Sequence, residues 1–173
     1  LPLDPSSMEF VDLLTSSHNH TDHLDAETLQ PIMKASAGAK LLIPSANKSF
    51  VLERLGQDRD EKITGLCSGD SVSLGGFECH GIPAAHEARE LDEQGRDMYL
   101  GYVFKFGSWS IYHSGDTVLF EGLEDALSGF RPDLALLPIN GRSPGRGVAG
   151  NLWGREAAGL ARNIGARLAI PCH

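Results

Sequence analysis

Cysteine, basic residues and long apolar runs are all scarce in this sequence, and each shortage closes off a class of protein. Three cysteines in 173 residues, at Cys67, Cys79 and Cys172, are an odd number with no close-paired spacing. That indicates neither a disulfide framework nor a cysteine zinc finger, and reduced, buried thiols are expected. Fifteen Lys and Arg stand against 23 Asp and Glu, for a formal charge of −8 and a pI near 5.3. The summed field repels polyanions, so no nucleic-acid partner is expected. No apolar run approaches the ~20 residues that cross a bilayer. Nothing at the N-terminus has the charged-then-apolar pattern of a signal peptide, so no membrane span and a cytoplasmic location are the expectation.

What is present is ordinary for a folded domain: 41% hydrophobic and 22% charged residues. A chain of this length buries roughly two-thirds of the surface its unfolded form exposes. Residues 1–173 are expected to form one domain. The sequence starts without Met and stops right after the strand-like run "RLAIPCH", so it is expected to be a fragment of a longer chain.

Along the chain, "FVDLLTS" (10–16) has strand character, and Asp25 can cap a helix in which Leu29, Ile32 and Met33 share one face before Gly38. "LLIPS" (41–45) reads as a short buried strand, and a second helix covers Ser49 to Leu55. From Lys62 the texture becomes strands broken by turn signals: "KITGL", "SVSL", the Gly75-Gly76 turn, "FECHGIPA", a charged loop, "YLGYVFKF", the Gly107-Ser108 turn and "WSIYHSGD". This is a run of hairpins. A helix around Leu119 to Leu127, a strand at 133–139, a Gly- and Arg-rich loop from Asn140 to Asn151, a helix with Trp153, Ala157, Leu160, Ala161 and Ile164 on one face, and a last strand follow. Sheet layers covered by helices are expected.

Seven histidines serve the whole chain, and three of them lie in "HNHTDH", His18 to His23. In an extended segment, residues two apart point the same way, so His18 and His20 can grip one ion from one side. If the chain turns after His20, Asp22 and His23 address a neighbouring point. Nitrogen and oxygen donors of this kind suit Zn²⁺, Mn²⁺ or Fe²⁺. Six residues cannot complete two coordination shells, so distant partners are required. His86, Asp116 and His173 each end an apolar, strand-like run, and a carboxylate such as Asp116 can bridge two ions. Taken singly, each has a plain structural reading: a solvated loop for the cluster, a turn aspartate for Asp116, a satisfied histidine for His86 or His173. It is their joint occurrence that favours a metal site.

These residues resemble the metallo-β-lactamase superfamily, with its H-x-H-x-D-H cluster followed by a His, a bridging Asp and a final His, over Phe10 to His173. "HNHTDHLDAETL", "GYVFKFGSWSIYHSGDT" and "DLALLPING" look most like the branch containing L-ascorbate-6-phosphate lactonase. Members of that branch carry additional N-terminal strands and continue past the last metal His, and this chain shows neither. The resemblance implies an α+β, four-layer αββα sandwich, here incomplete at both ends. It implies that His18, His20 and His86 hold one divalent ion, Zn or Mn, that Asp22, His23 and His173 hold a second, and that Asp116 bridges them. His80 and His113 match no ligand position and are expected to pack or to orient ligands.

The expected function is a metal-dependent hydrolase that directs a metal-bound hydroxide at a small ester, a sugar lactone or its phosphorylated form, with Asp22 and Asp116 as catalytic proton carriers. Ser114 is not expected to act as a nucleophile, because adjacent residues on a strand point to opposite faces. Asn140 and Arg142 are the expected substrate contacts, with Arg146 and the charged loop Glu87 to Asp97 as further candidates for specificity. The expected partner is a small molecule, and a homo-oligomer is compatible with the sequence. Two other readings remain open at this stage: a phosphodiesterase of the phospholipase D-like branch, and a non-catalytic protein that uses metal for stability.

Overall fold

In the computed structural model, which describes residues 3–143 and 150–173, two sheets face each other and helices cover their outer faces. The smaller sheet is parallel, in the order β1 (Leu13–Thr15), β2 (Lys40–Pro44), β3 (Ile63–Leu66). Its crossovers carry α1 (Ala26–Ala35) and α2 (Lys48–Leu55). The larger sheet runs in sequence order through β4 (Ser71–Leu74), β5 (Phe77–Pro83), β6 (Leu100–Phe106), β7 (Trp109–His113), β8 (Leu134–Pro138) and β9 (Leu168–Cys172). β4 to β7 pair antiparallel, as the turn signals predict. β7, β8 and β9 pair parallel, linked by α3 (Leu123–Leu127) and α4 (Gly154–Asn163).

Three buried clusters define the layers, and the two-residue alternation of strand side chains sorts residues among them. Leu41 and Ile43 face α1 and α2, packing with Leu29, Met33, Val51 and Leu55. Leu42 points the other way and joins Leu66, Cys79, Leu100 and Tyr102 between the sheets. On β6, Tyr102 faces inward while Val103 turns outward to meet Tyr112, Leu123, Leu127, Leu137 and Leu160 beneath α3 and α4. The order is therefore helices, sheet, sheet, helices, the four-layer αββα sandwich of the metallo-β-lactamase fold. All three cysteines are free, and among the described residues no helix is long and apolar enough to cross a membrane.

Strand direction decides where chemistry can collect. β5 and β7 are both antiparallel to β6, so they run the same way, and β9 is parallel to β7 through β8. The carboxyl ends of β5, β7 and β9 therefore open on one edge of the large sheet. His86 follows β5, Asp116 follows β7 and His173 follows β9.

Two expectations shrink in the structure. The strand expected over 10–16 keeps only Leu13–Thr15, because just before it the backbone turns to the end of α1, where the Ser36 hydroxyl accepts from Val11 N–H and donates to Met8 C=O. The helix expected over 119–127 starts at Leu123, after Gly122 at φ 93°. Asp25 caps α1 as expected, accepting from Glu27 N–H at 3.0 Å and from the Thr28 hydroxyl. Because Asp25 stands two residues after His23, this cap also fixes where the histidine loop ends. Asp25→Ala should cost about 1 kcal/mol, with Asp25→Asn much milder. Thermal melts should show this as a fall of ~2–4 °C for a chain of this size.

Candidate metal centre

The loop from Ser16 to Asp25 is tied to both sheets before any histidine is placed. Ser16 N–H bonds Leu42 C=O at 3.0 Å, extending the β1–β2 pairing by one residue. The buried Tyr102 hydroxyl donates to Ser16 C=O at 2.9 Å, and Leu100 N–H donates to Ser17 C=O at 2.9 Å. The Ser16 hydroxyl then bonds His18 C=O at 2.6 Å, and His23 and Leu24 N–H close a turn on His20 C=O. The chain does turn after His20, as the reading of the cluster requires.

The seven residues singled out as ligands come together. His18, His20 and His86 form one donor group, Asp22, His23 and His173 a second, and His18, His23 and Asp116 a third between them, with the donor atoms of each within 4.8 Å of one another. His18 Nε2 lies 2.9 Å from His20 Nδ1. Asp116 is 3.3 Å from His23 Nε2, 3.4 Å from His173 Nε2 and 3.6 Å from His86 Nε2, and Asp22 is 3.6 and 3.5 Å from His23 and His173. Two donors 2.0–2.1 Å from one tetrahedral ion stand about 3.4 Å apart. The carboxylate–imidazole separations fit that spacing. The buried His23 Nε2 has no well-formed hydrogen bond, which is the condition of a lone pair awaiting an ion. His18 and Asp116 are buried, whereas Asp22 is 62% exposed, so the cluster opens toward solvent on the Asp22 side.

Burial and mutual proximity set the charges. Burial, helped by the neighbouring His23, drives the His18 pKa down to about 2, and burial followed by His86 lowers that of His20. Burial alone would raise Asp116, but the attraction of the His23 imidazole 3.3 Å away prevails and brings it down to about 2. Burial would lower His23, and the facing Asp116 carboxylate overrides it, raising His23.

Several residues in this centre were not picked out by sequence. Asn151 is buried, accepts from Thr117 N–H at 3.1 Å through its side chain and reaches Asp116. The Thr117 hydroxyl accepts from Ala85 N–H at 3.1 Å, and Val118 N–H bonds Ala85 C=O at 2.7 Å, so the Asp116 and His86 turns lock together. The Tyr99 ring stands 5.1, 6.2 and 5.7 Å from those of His18, His20 and His86. Position beside a strand end was the only signal any of them carried.

Asn140 places its amide 2.9 Å from His173 Nδ1 and leaves Oδ1 without a partner. Turning the amide over would offer that oxygen to an Nδ1–H, the form His173 needs if Nε2 is to stay free. Arg142 makes a two-pronged pair with Glu156 at 2.7 and 2.8 Å and bonds Asn151 C=O. Arg146 lies outside the described residues. In the charged loop, Arg89 grips the buried Asp97 at 2.9 Å through two nitrogens, and the Ser68 hydroxyl joins them. His80 sits 2.9 Å from Glu78 and against Phe130, while the ring of His113 accepts Gly115 N–H at 3.3 Å. Ser114 directs its hydroxyl to Gly115 C=O.

Residues 1–173 match the family described as "Beta-lactamase superfamily domain". Over 178 residues the sequence is 31% identical to a UPF0173 metal-dependent hydrolase of Methanocorpusculum labreanum, covering 100% of this chain and 72% of the relative. The chain is a metallo-β-lactamase superfamily member of the UPF0173 metal-dependent hydrolase family. A relative of the same description from Rubrobacter xylanophilus is 30% identical over 183 residues, covering 99% of this chain and 69% of its own length. Among solved structures, the metallo hydrolase Igni18 of Ignicoccus hospitalis superposes with a TM-score of 0.70 at 22% identity, over 94% of this chain and 63% of that one. An isothiocyanate hydrolase from Delia radicum gut bacteria gives 0.73 at 21% identity, over 100% and 66%. These last two show a shared fold. The chain thus spans about two-thirds of these two solved structures and about 70% of these two UPF0173 relatives.

The shifts give a pH prediction for chelator-treated protein of this family. His18, whose folded pKa is depressed, contributes stability that is full above its unfolded value of 6.5 and lost as pH falls below it. The contribution of Asp116 is full above 3.8 and lost toward 2. His23, raised, works the other way, adding stability below 6.5 that fades as pH rises through its folded pKa. The larger depression of His18 should dominate, so melting temperature should fall as pH drops below 6.5. His18→Gln should flatten the upper part of that fall, and a profile unchanged by the substitution would contradict the assignment.

Proposed function

We propose that this metallo-β-lactamase-fold protein is a dinuclear hydrolase of small esters, with a sugar lactone as the substrate class tested first. The observation that carries the reading is the convergence of five imidazoles and two carboxylates at one sheet edge, in two donor groups joined through His23 and Asp116. His18, His20 and His86 would hold one divalent ion, Zn or Mn, and Asp22, His23 and His173 the other, with Asp116 shared. When bound, such ions supply Lewis acidity, polarising a substrate oxygen and lowering the pKa of water toward ~7.

The protein's own residues do the rest. Asp116, held low in pKa and within 3.3–3.6 Å of three imidazoles, stays anionic at neutral pH and keeps those rings oriented. Asp22 is the exposed carboxylate of the cluster, so it is the group placed to take a proton from the attacking water and return it to the leaving oxygen. Tyr99 walls the first donor group with an apolar ring face and limits water there. The Arg142 guanidinium is committed to Glu156 and Asn151, which favours a lactone without a phosphate at that position. Asn140, through His173, acts on the ligand side of the centre.

A serine mechanism is the structural competitor to this reading, and Ser17 would carry it. Ser17, His23 and Asp116 are linked at 3.1 and 3.3 Å with the connectivity of a Ser-His-Asp triad. Ser17 is 5% exposed and its hydroxyl is walled in by the Gly115 backbone, where an added Cβ would lie 3.0 Å from Oγ, so it is not presented to a substrate carbonyl.

The test is turnover by metal-reconstituted protein on matched panels of lactones and of phosphodiesters such as bis-p-nitrophenyl phosphate. Lactone hydrolysis is expected, and Asp22→Asn should lower kcat by about 10²–10⁴. Turnover of phosphodiesters alone would replace the ester reading with the phosphodiesterase one. Metal-dependent melting without turnover on any panel would favour a binding protein.

A further inference from the structure

One hydroxyl touches both halves of the centre. Ser17 Oγ lies 2.9 Å from His18 Nδ1 and 3.1 Å from His23 Nδ1, and these two rings belong to different donor groups. Each ring turns its other nitrogen into the cluster: His18 Nε2 toward His20 Nδ1 and His23 Nε2 toward Asp116. A neutral imidazole carries one N–H, so a free lone pair on Nε2 requires the proton on Nδ1, and Nδ1–H requires an acceptor. A hydroxyl oxygen has two lone pairs and can accept from both rings at once.

The position of Ser17 is itself over-determined. Its carbonyl is held by Leu100 N–H of β6, and the preceding residue is bonded to β2 and to the Tyr102 hydroxyl. Opposite it stands Gly115 at φ 60°, where a Cβ would come within 2.6 Å of Ser17 Cβ and 3.0 Å of its Oγ. The absence of a side chain at 115 is what admits the hydroxyl.

We propose that Ser17 is a positioning residue shared by the two metal subsites, its oxygen selecting the Nδ1–H form of both His18 and His23 so that the two ions depend on one hydroxyl. The inference rests on the dinuclear reading above. Outer partners of ligand histidines typically change metal affinity 10- to 100-fold. A merely structural serine would change melting temperature without changing tautomers or affinities.

The experiment has two arms. In metal-free wild-type protein at alkaline pH, long-range ¹⁵N–¹H correlations of the imidazoles should show Nδ1–H forms for both His18 and His23. An Nε2–H form at either would overturn the proposal, whatever the variants do. In the second arm, wild type, Ser17→Ala and Ser17→Thr are titrated with Zn²⁺ against a chromophoric chelator. Ser17→Ala should weaken both ions by about tenfold or more, and Ser17→Thr, which keeps the hydroxyl, should recover most of the loss. Unchanged affinities in Ser17→Ala, or weakening of one ion only, would refute the sharing. If wild type itself held fewer than two ions, the dinuclear reading would fail, and the tautomer arm would still decide the role of Ser17.

Discussion

The structure depends on gathering groups that repel or desolvate one another. His18 and Asp116 are buried, His23 is nearly so, and His20, His86, His173 and Asp22 crowd the same edge. Burying an imidazole or carboxylate without a partner is costly, and these groups partner mainly each other. The lowered pKa values of His18 and Asp116 are the electrostatic record of that crowding. Much else serves to hold the cluster together: the Tyr102 and Leu100 bonds to the histidine loop, the Thr117–Ala85 lock and the Asn151 contact. Tyr102 shows the economy of the arrangement, since its ring fills the core between the sheets while its hydroxyl anchors Ser16.

How much of this could be read from sequence follows from the range of each interaction. The hairpins from β4 to β7 were legible because turn signals are local, and α1 was legible because its cap and apolar stripe are local. The parallel pairings of β1 with β2, of β7 with β8 and of β8 with β9 are not local, and nothing in the spacing of those strands announces them. The donor set could nevertheless be gathered, because each distant donor closes a strand-like run and the histidine cluster demanded partners. Ser17, Thr117, Tyr99 and Asn151 were missed for the opposite reason. Their side chains are common types at common positions, and only the third dimension shows that they face ligands.

The residues expected from sequence to contact substrate teach a related lesson. An arginine in a glycine-rich loop is a reasonable phosphate contact by composition, but Arg142 meets Glu156, whose carboxylate also caps α4 through Trp153 N–H. A charge seen in sequence is available to a ligand only if the fold has not already paired it. Asn140 likewise meets His173.

The donor groups draw on opposite ends of the described chain, His18 to His23 near its start and His173 at its close. Bringing groups so far apart in sequence together carries a loop-closure cost that the contacts between the sheets must offset. An ion held by donors from both sheets would therefore act as a clasp between them. By mass action it favours only the state in which the two sheets are docked. Resistance of the whole sandwich to proteolysis would then depend on metal occupancy as well as on packing.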